Sequence, residues 1–115
     1  ATIHLQVKCL LIYPLPVWEV IEQEVQGLPT LKPEVGRLQR LMLGYASDIE
    51  LDGNGRLLLP SALRDHASLD KKVVLVGQGK KLELWSESLW DSERESGLGQ
   101  AADQPLPEEF FSLSL

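Results

Sequence analysis

Along this chain apolar and polar positions alternate, then cycle with a helical period, then alternate again, and the changes of period mark its elements. Residues 2–5 and 9–13 read as two short strands around Gln6-Val7-Lys8, and Pro14 stops the second. Pro16 suits the first turn of a helix over roughly 16–26, where Trp18, Ile21 and Val25 share one stripe and Glu19, Glu22 and Gln26 face away. After Gly27-Leu28-Pro29-Thr30, a second helix is predicted over about 33–45. Val35, Leu38, Leu41, Met42 and Tyr45 form its apolar side, and Arg37 and Arg40 lie on the wetter flank. Alternation returns at 47–52, with Ile49 and Leu51 opposite Asp48, Glu50 and Asp52. Gly53-Asn54-Gly55 is a turn of the kind that needs positive φ, and 56–59 is its return strand. Pro60 opens a short helix carrying Ala62, Leu63 and His66. Residues 72–76 and 81–85 make a further strand pair around Gly77-Gln78-Gly79. Ser86 is placed to cap a last helix ending near Ser96. The remainder, acidic and broken by Gly and Pro, is expected to be a flexible tail ending in the apolar Phe110-Phe111-Ser112-Leu113-Ser114-Leu115.

A repeat lies inside this order of elements. Shifted by 72 positions, Gln6 meets Gln78, Lys8 meets Lys80, Leu10 meets Leu82 and Trp18 meets Trp90. Ile12 with Leu84, Tyr13 with Trp85 and Val17 with Leu89 are like-for-like. Strand, turn, strand and a helix bearing a Trp therefore occur twice, although two generic hairpins could match by chance. Only the second occurrence is preceded by the unit of residues 47–67, whose counterpart would fall about twenty residues before Ala1. The expectation is a chain lacking the first half of one module.

Composition narrows the class. No apolar run approaches the ~20 residues of a bilayer-spanning helix, and Ala1 to Gln6 carry no basic stretch of the signal-peptide kind. The single cysteine, Cys9, sits in an apolar strand, reads as a buried small hydrophobe, and leans toward a reducing cytoplasm. A net charge of −6 opposes nucleic-acid binding, but the charge is uneven. From Gly36 to Lys81 eight basic residues (Arg37, Arg40, Arg56, Arg64, Lys71, Lys72, Lys80, Lys81) face five acidic ones (Asp48, Glu50, Asp52, Asp65, Asp70). A local basic surface is compatible with an acidic chain, with weak binding per protomer.

Leu51-Asp52-Gly53-Asn54-Gly55-Arg56 through Pro60 is the most specific stretch. Asp52 can accept hydrogen bonds from turn amides and hold the Arg56 side chain by charge. Arg56, opening a strand, can then offer a guanidinium to guanine O6 and N7 or to a phosphate. Equally, an Asp52–Arg56 ion pair could do no more than pin a hairpin. Other chemistry is poorly supplied. His4 and His66 lack partners at metal-ligand spacing, so no metal site is expected. Gly77-Gln78-Gly79-Lys80-Lys81 is explained by a hairpin turn rather than a phosphate loop. Ser61, Asp65 and His66 share one short helix and nothing supplies an oxyanion hole, so no catalytic residue, enzyme activity or cofactor is expected. Trp18 and Trp90, at equivalent repeat positions, read as core anchors.

These residues carry a resemblance. Cys9 to Pro16 with Trp18-Glu19, Arg37 to Gly44, Leu51 to Pro60, and Leu75-Val76-Gly77-Gln78 leading to Glu83-Leu84-Trp85 resemble the MraZ family, within the AbrB-like (SpoVT-AbrB) superfamily, over nearly everything up to about residue 95. The resemblance implies an α+β fold: an AbrB-like swapped-hairpin β-layer from two pseudo-symmetric repeats with intervening helices. Residues 1–21 would be the C-terminal half of a first repeat, 22–46 connecting helices, 47–93 the second repeat and 94–115 an acidic tail. It further implies a ring-like homo-oligomer that binds G-rich direct repeats in double-stranded DNA and represses its own division and cell-wall operon, in the cytoplasm and on the nucleoid. The family's Asp-x-x-x-Arg motif carries over onto Asp52 and Arg56, with Gly55 serving the turn, so Arg56, Asp52, Gly55 and Asn54 are the candidate DNA-binding residues; Arg64, Lys71 and Lys72 are candidate phosphate contacts. The rival expectation is an antitoxin-like protein-interaction module with no DNA preference.

Overall fold

A computed structural model describes residues 1–114; Leu115, the end of the expected tail, lies outside the described residues. Four strands form one antiparallel sheet in the order β1-β2-β4-β3: β1 Thr2–Ile3, β2 Leu10–Ile12, β3 Val73–Gln78 and β4 Lys81–Ser86. Helices α1 (Leu15–Gln26), α2 (Pro33–Gly44), α3 (Ser61–His66) and α4 (Glu87–Asp103) surround it, and a single 3-10 turn follows at Glu108–Phe110. The fold is α+β. No helix among the described residues is long and apolar enough to cross a membrane.

Residues paired across antiparallel strands share a face. Ile3, Leu10, Ile12, Leu84, Leu82, Leu75 and Val73 line one side, and Thr2, Leu11, Glu83, Trp85, Val74 and Val76 the other. On the first side Ile3, Leu10 and Leu84 close against Leu63 and Ala67, with Tyr45, Leu59 and Leu69 packed around them. Leu63 is the peg that joins α3 to the sheet. On the second side α1 and α4 each set a tryptophan on an aromatic ring at or just past the end of the preceding strand: Trp18 on Tyr13 (ring centroids 6.0 Å) and Trp90 on Trp85 (5.8 Å).

Those two aromatic pairs are 72 residues apart, and the offset reappears in the sheet. Leu11 pairs with Glu83, its own offset equivalent, while Leu10 pairs with Leu84 and Ile12 with Leu82. Equivalent strands thus run antiparallel about a local two-fold passing between Leu11 and Glu83. α1 and α4 begin at Leu15 and Glu87, again 72 apart. The first hairpin departs from the symmetry. Leu11 faces Thr2 but Glu83 faces Val76, so the loop before β2 is two residues longer than the tight turn at Gly79. His4 fills that loop: its Nδ1 accepts from the backbone N–H of Gln6 (3.0 Å) and of Val7 (3.3 Å). Gln6 lies in the loop and Gln78 in a strand, so that sequence identity marks no shared position.

Helix ends follow their local chemistry. Pro16 and Pro33 sit in first turns, where a missing N–H costs nothing. Ser86 Oγ accepts from Leu89 N–H (3.2 Å) to cap α4. The carbonyls at the end of α1 are closed by its neighbour, since Gln39 Nε2 donates to Val25 O (2.8 Å) and Gln26 O (3.3 Å).

Two expectations are corrected. Residues 47–52 and 56–59 are not strands: a strand exists through its ladder, and residues 47–59 have none in the sheet. Their link to it is one reciprocal pair, Ser47 N–H to Ala1 O and the Ala1 amino group to Ser47 O, both 2.8 Å. The last helix runs through Asp103 rather than stopping near Ser96, although every residue from Asp91 through Ser114 is exposed. A helix carried clear of the sheet fits the radius of gyration of 16.3 Å, against about 13 Å for a compact domain of similar length.

Candidate nucleic-acid interface

The turn of residues 52–56 is built almost wholly around one carboxylate. Asp52 Oδ1 accepts from the backbone N–H of Asn54 (2.9 Å) and of Arg56 (2.8 Å). The Asp52 carbonyl accepts from Gly55 N–H (3.1 Å), and Asp52 N–H donates to Arg56 O (2.7 Å). Because the Asp52 carbonyl is already committed to Gly55, the side chain takes the place a carbonyl would hold opposite the Arg56 amide. Gly55 sits at φ +75°, the left-handed region where a Cβ is costly, whereas Gly53 has no positive φ.

Asp52 therefore grips the backbone of Arg56, not its guanidinium. Among the described residues Arg56 has no carboxylate within ion-pair distance, and its side chain is exposed. The expected charge contact between the two side chains is absent, because Oδ1 is spent on two amides. What results is a cation held at its root and free at its tip. Its base is firm on one side only: Leu59 packs against the core and Pro60 leads into α3, which Leu63 and Ala67 fix to the sheet.

Asp52, Asn54, Gly55 and Arg56 are thus brought together in one turn. Arg64, Lys71 and Lys72 are exposed and free of ion pairs among the described residues, and no hydrogen bond joins them to that turn. Arg64 lies on α3, and its carbonyl accepts from Leu69 N–H (2.9 Å) across the bend at Ser68. Lys72 closes the end of β3, its carbonyl accepting from Glu87 N–H (3.1 Å). His66 packs on Tyr45 (5.6 Å) with Nε2 unpartnered, and no hydrogen bond links it to Ser61 or Asp65. No cluster of three metal-ligating side chains occurs among the described residues.

Sequence patterning missed the apolar surround of this site. Leu57 and Leu58 follow Arg56 exposed, Leu58 at 84%. Leu51 precedes the turn exposed at 66%; apart from this site, Val73, Leu75 and Leu82 are exposed on the sheet. The signal was present: three consecutive leucines, 57–59, have no polar face and ask for cover on both sides.

The comparisons with known proteins converge on one family. The family described as "MraZ protein, putative antitoxin-like" matches residues 42–97, which contain the Asp52–Arg56 turn, α3 and the β3–β4 hairpin. The "Transcriptional regulator MraZ" of Alkalilimnicola ehrlichii is 50% identical over 115 residues, covering 100% of this chain and 77% of the relative. This chain belongs to the MraZ family. The proteins of the same name from Halorhodospira halophila (51% over 117 residues, 100% of this chain and 77% of the relative) and Legionella pneumophila (46% over 116 residues, 99% and 76%) agree. Each of these MraZ relatives bears a regulator's name rather than an enzyme's.

Proposed function

We propose that this chain is a sequence-specific DNA-binding regulator that presents Arg56 to guanine edges in G-rich direct repeats and represses its own division and cell-wall operon. The observation that carries the reading is the Asp52–Arg56 turn. The carboxylate fixes the backbone and leaves the guanidinium exposed, which is what a bidentate contact to O6 and N7 requires. The relatives' name, transcriptional regulator, supports it. Arg64, Lys71 and Lys72 would add the phosphate contacts that position without reading sequence.

A net charge of −6 works against a single copy on DNA. One arginine per chain gives little affinity, so copies must act together, each engaging one repeat and raising the effective concentration of the next. The uncovered leucines around the turn and the open edge of β3 supply the means, because an unpaired strand edge with apolar neighbours is a template for another chain. Residues 47–59, which alternate like strands yet have no ladder here, would acquire one in a swapped-hairpin layer. Within it, residues 47–93 form one AbrB-like repeat, residues 1–21 the second half of another, 22–46 the connection and 94–115 an acidic tail. The regulator would work in the cytoplasm on the nucleoid.

A gel shift across a salt series, using guanine-rich direct repeats against a scrambled duplex, tests the reading. Preference for the repeats is expected, lost in Arg56→Ala and largely lost in Arg56→Lys, which keeps the charge but not the fork. A bidentate contact discriminates by roughly 1–3 kcal/mol, so the preference per contact should exceed about fivefold. The antitoxin-like reading predicts no preference between the two duplexes, and that result would end the proposal.

A further inference from the structure

We infer that the groove between α1 and the β3–β4 turn is the docking site for the C-terminal segment, Leu106–Leu113, of a second copy of this chain. Tyr13, Val17, Val20 and Ile21 form the apolar part of a groove of about 430 Å³, and Lys80 and Lys81 stand along its rim. Neither lysine has a carboxylate within ion-pair distance among the described residues, and Val20 is 58% exposed. The groove is apolar inside and cationic at the edge.

The C-terminal segment has the opposite chemistry. Glu108–Phe110 is a 3-10 turn, in which residues three apart eclipse, so Glu108 and Phe111 project from the same side. Glu109 and Phe110 follow the same acid-then-ring order. Phe111 is 73% exposed, and Leu106, Phe110 and Leu113 are also exposed. Two carboxylates beside two rings match two ammonium groups beside an apolar floor. Two unlike surfaces on one chain, each covering the other's exposed groups, specify a head-to-tail contact between copies.

A second copy, rather than the same one, is favoured by the path of α4. The helix starts at Glu87, directly after Ser86 at the end of β4 opposite Lys81, and its 17 residues carry the chain about 25 Å. Beyond Trp90 its residues are exposed, so it does not lie back along the sheet toward its own groove. The contact is independent of Arg56 and involves none of the residues assigned to DNA.

Cross-linking of full-length chains tests it. A copy carrying Val20→Cys is mixed with a mass-tagged copy carrying Phe111→Cys under mild oxidation; Cys9, fully buried, stays out of the reaction. A disulfide-linked pair of unlike mass is expected. Lys80→Glu with Lys81→Glu in the groove copy should cut its yield by about tenfold, the order expected for losing two opposed charge pairs at a partly desolvated contact. Adding Glu108→Lys with Glu109→Lys to the tail copy should restore the yield, which a misfolded groove could not do. The inference is overturned if no mixed pair forms, if its yield ignores the charges, or if the disulfide closes only within a chain carrying both cysteines.

Discussion

Replacing Asp52 separates holding the turn from holding the fold. In Asp52→Ala the Asn54 and Arg56 amides lose an anionic acceptor at 2.9 and 2.8 Å. Both lie in an exposed turn, so water replaces the lost partner, and about 1 kcal/mol for each bond is a fair net value. The loss of roughly 2 kcal/mol corresponds to a shift of about thirtyfold in the equilibrium between ordered and open turn. It falls on a segment outside the sheet, so the global unfolding free energy should move by less than about 0.5 kcal/mol. Asp52→Asn keeps a neutral oxygen in place and should lose about half as much. Amide hydrogen exchange at Asn54 and Arg56 reads the local effect, and thermal melting the global one. DNA affinity should fall for each engaged protomer in proportion to the drop in the ordered fraction, at most about thirtyfold. Unchanged exchange at those amides would refute the role of the carboxylate. A melting point lowered as far as by a core truncation would show that the turn clamps the fold instead of displaying a side chain.

Three further outcomes are expected. Gly55→Ala, at φ +75° with open space around the added Cβ, should destabilise the turn by roughly 1–2 kcal/mol through backbone conformation alone, while Gly53→Ala should be neutral; exchange at Arg56 distinguishes them. Leu63→Ala removes the peg between α3 and the sheet at 1% exposure and should cost about 2–4 kcal/mol by denaturant melts, taking α3 and residues 47–59 with it. Cys9 is pushed up to about 12, first by burial and then by the Glu83 carboxylate. Between pH 9 and 12 the unfolded thiol is ionised and the native one is not, so stability should fall with rising pH by up to about 1.4 kcal/mol per unit. Cys9→Ala should flatten that alkaline limb. The remaining slope would belong to Tyr13, raised by the same two causes.

What was readable in the sequence is what the chain satisfies by itself. Helices α1 and α2 were placed by the period of Trp18, Ile21, Leu38 and Leu41 and by their opening prolines, because those signals act within a few residues. The 72-residue offset exposed the equivalence of the two strand–helix units, but neither the pairing of β2 with β4 nor the two aromatic contacts followed from it, and it misaligned the first hairpin, whose extra two residues surround His4 acting as a backbone acceptor. No periodicity announces that. Residues 47–52 and 56–59 failed for the opposite reason: their alternation describes what they would do beside a neighbouring strand, and among the described residues no strand pairs with them. At the site, the residues that make the turn were legible from Asp and Gly. The roles within it were not, since spacing alone cannot say whether Asp52 meets an amide or a guanidinium.

The failed strands and the exposed arginine are one fact seen from two sides. A hairpin with its own ladder would be rigid without help, and its leading arginine would be fixed whether or not another copy or DNA were present. Here the turn is built locally by Asp52, but its arms are uncovered: Leu51, Leu57 and Leu58 stand in water. On the proposed function, covering them would cost one chain its freedom and need another to supply the surface. The number of arginines held in register would then rise with the number of copies assembled. For a chain of net charge −6, repelled by DNA as a monomer, that dependence is useful. Single copies would remain off the duplex, and only an assembly presenting several guanidinium groups at fixed spacing would overcome the repulsion. Its preference would then be for repeats of matching period over isolated guanines.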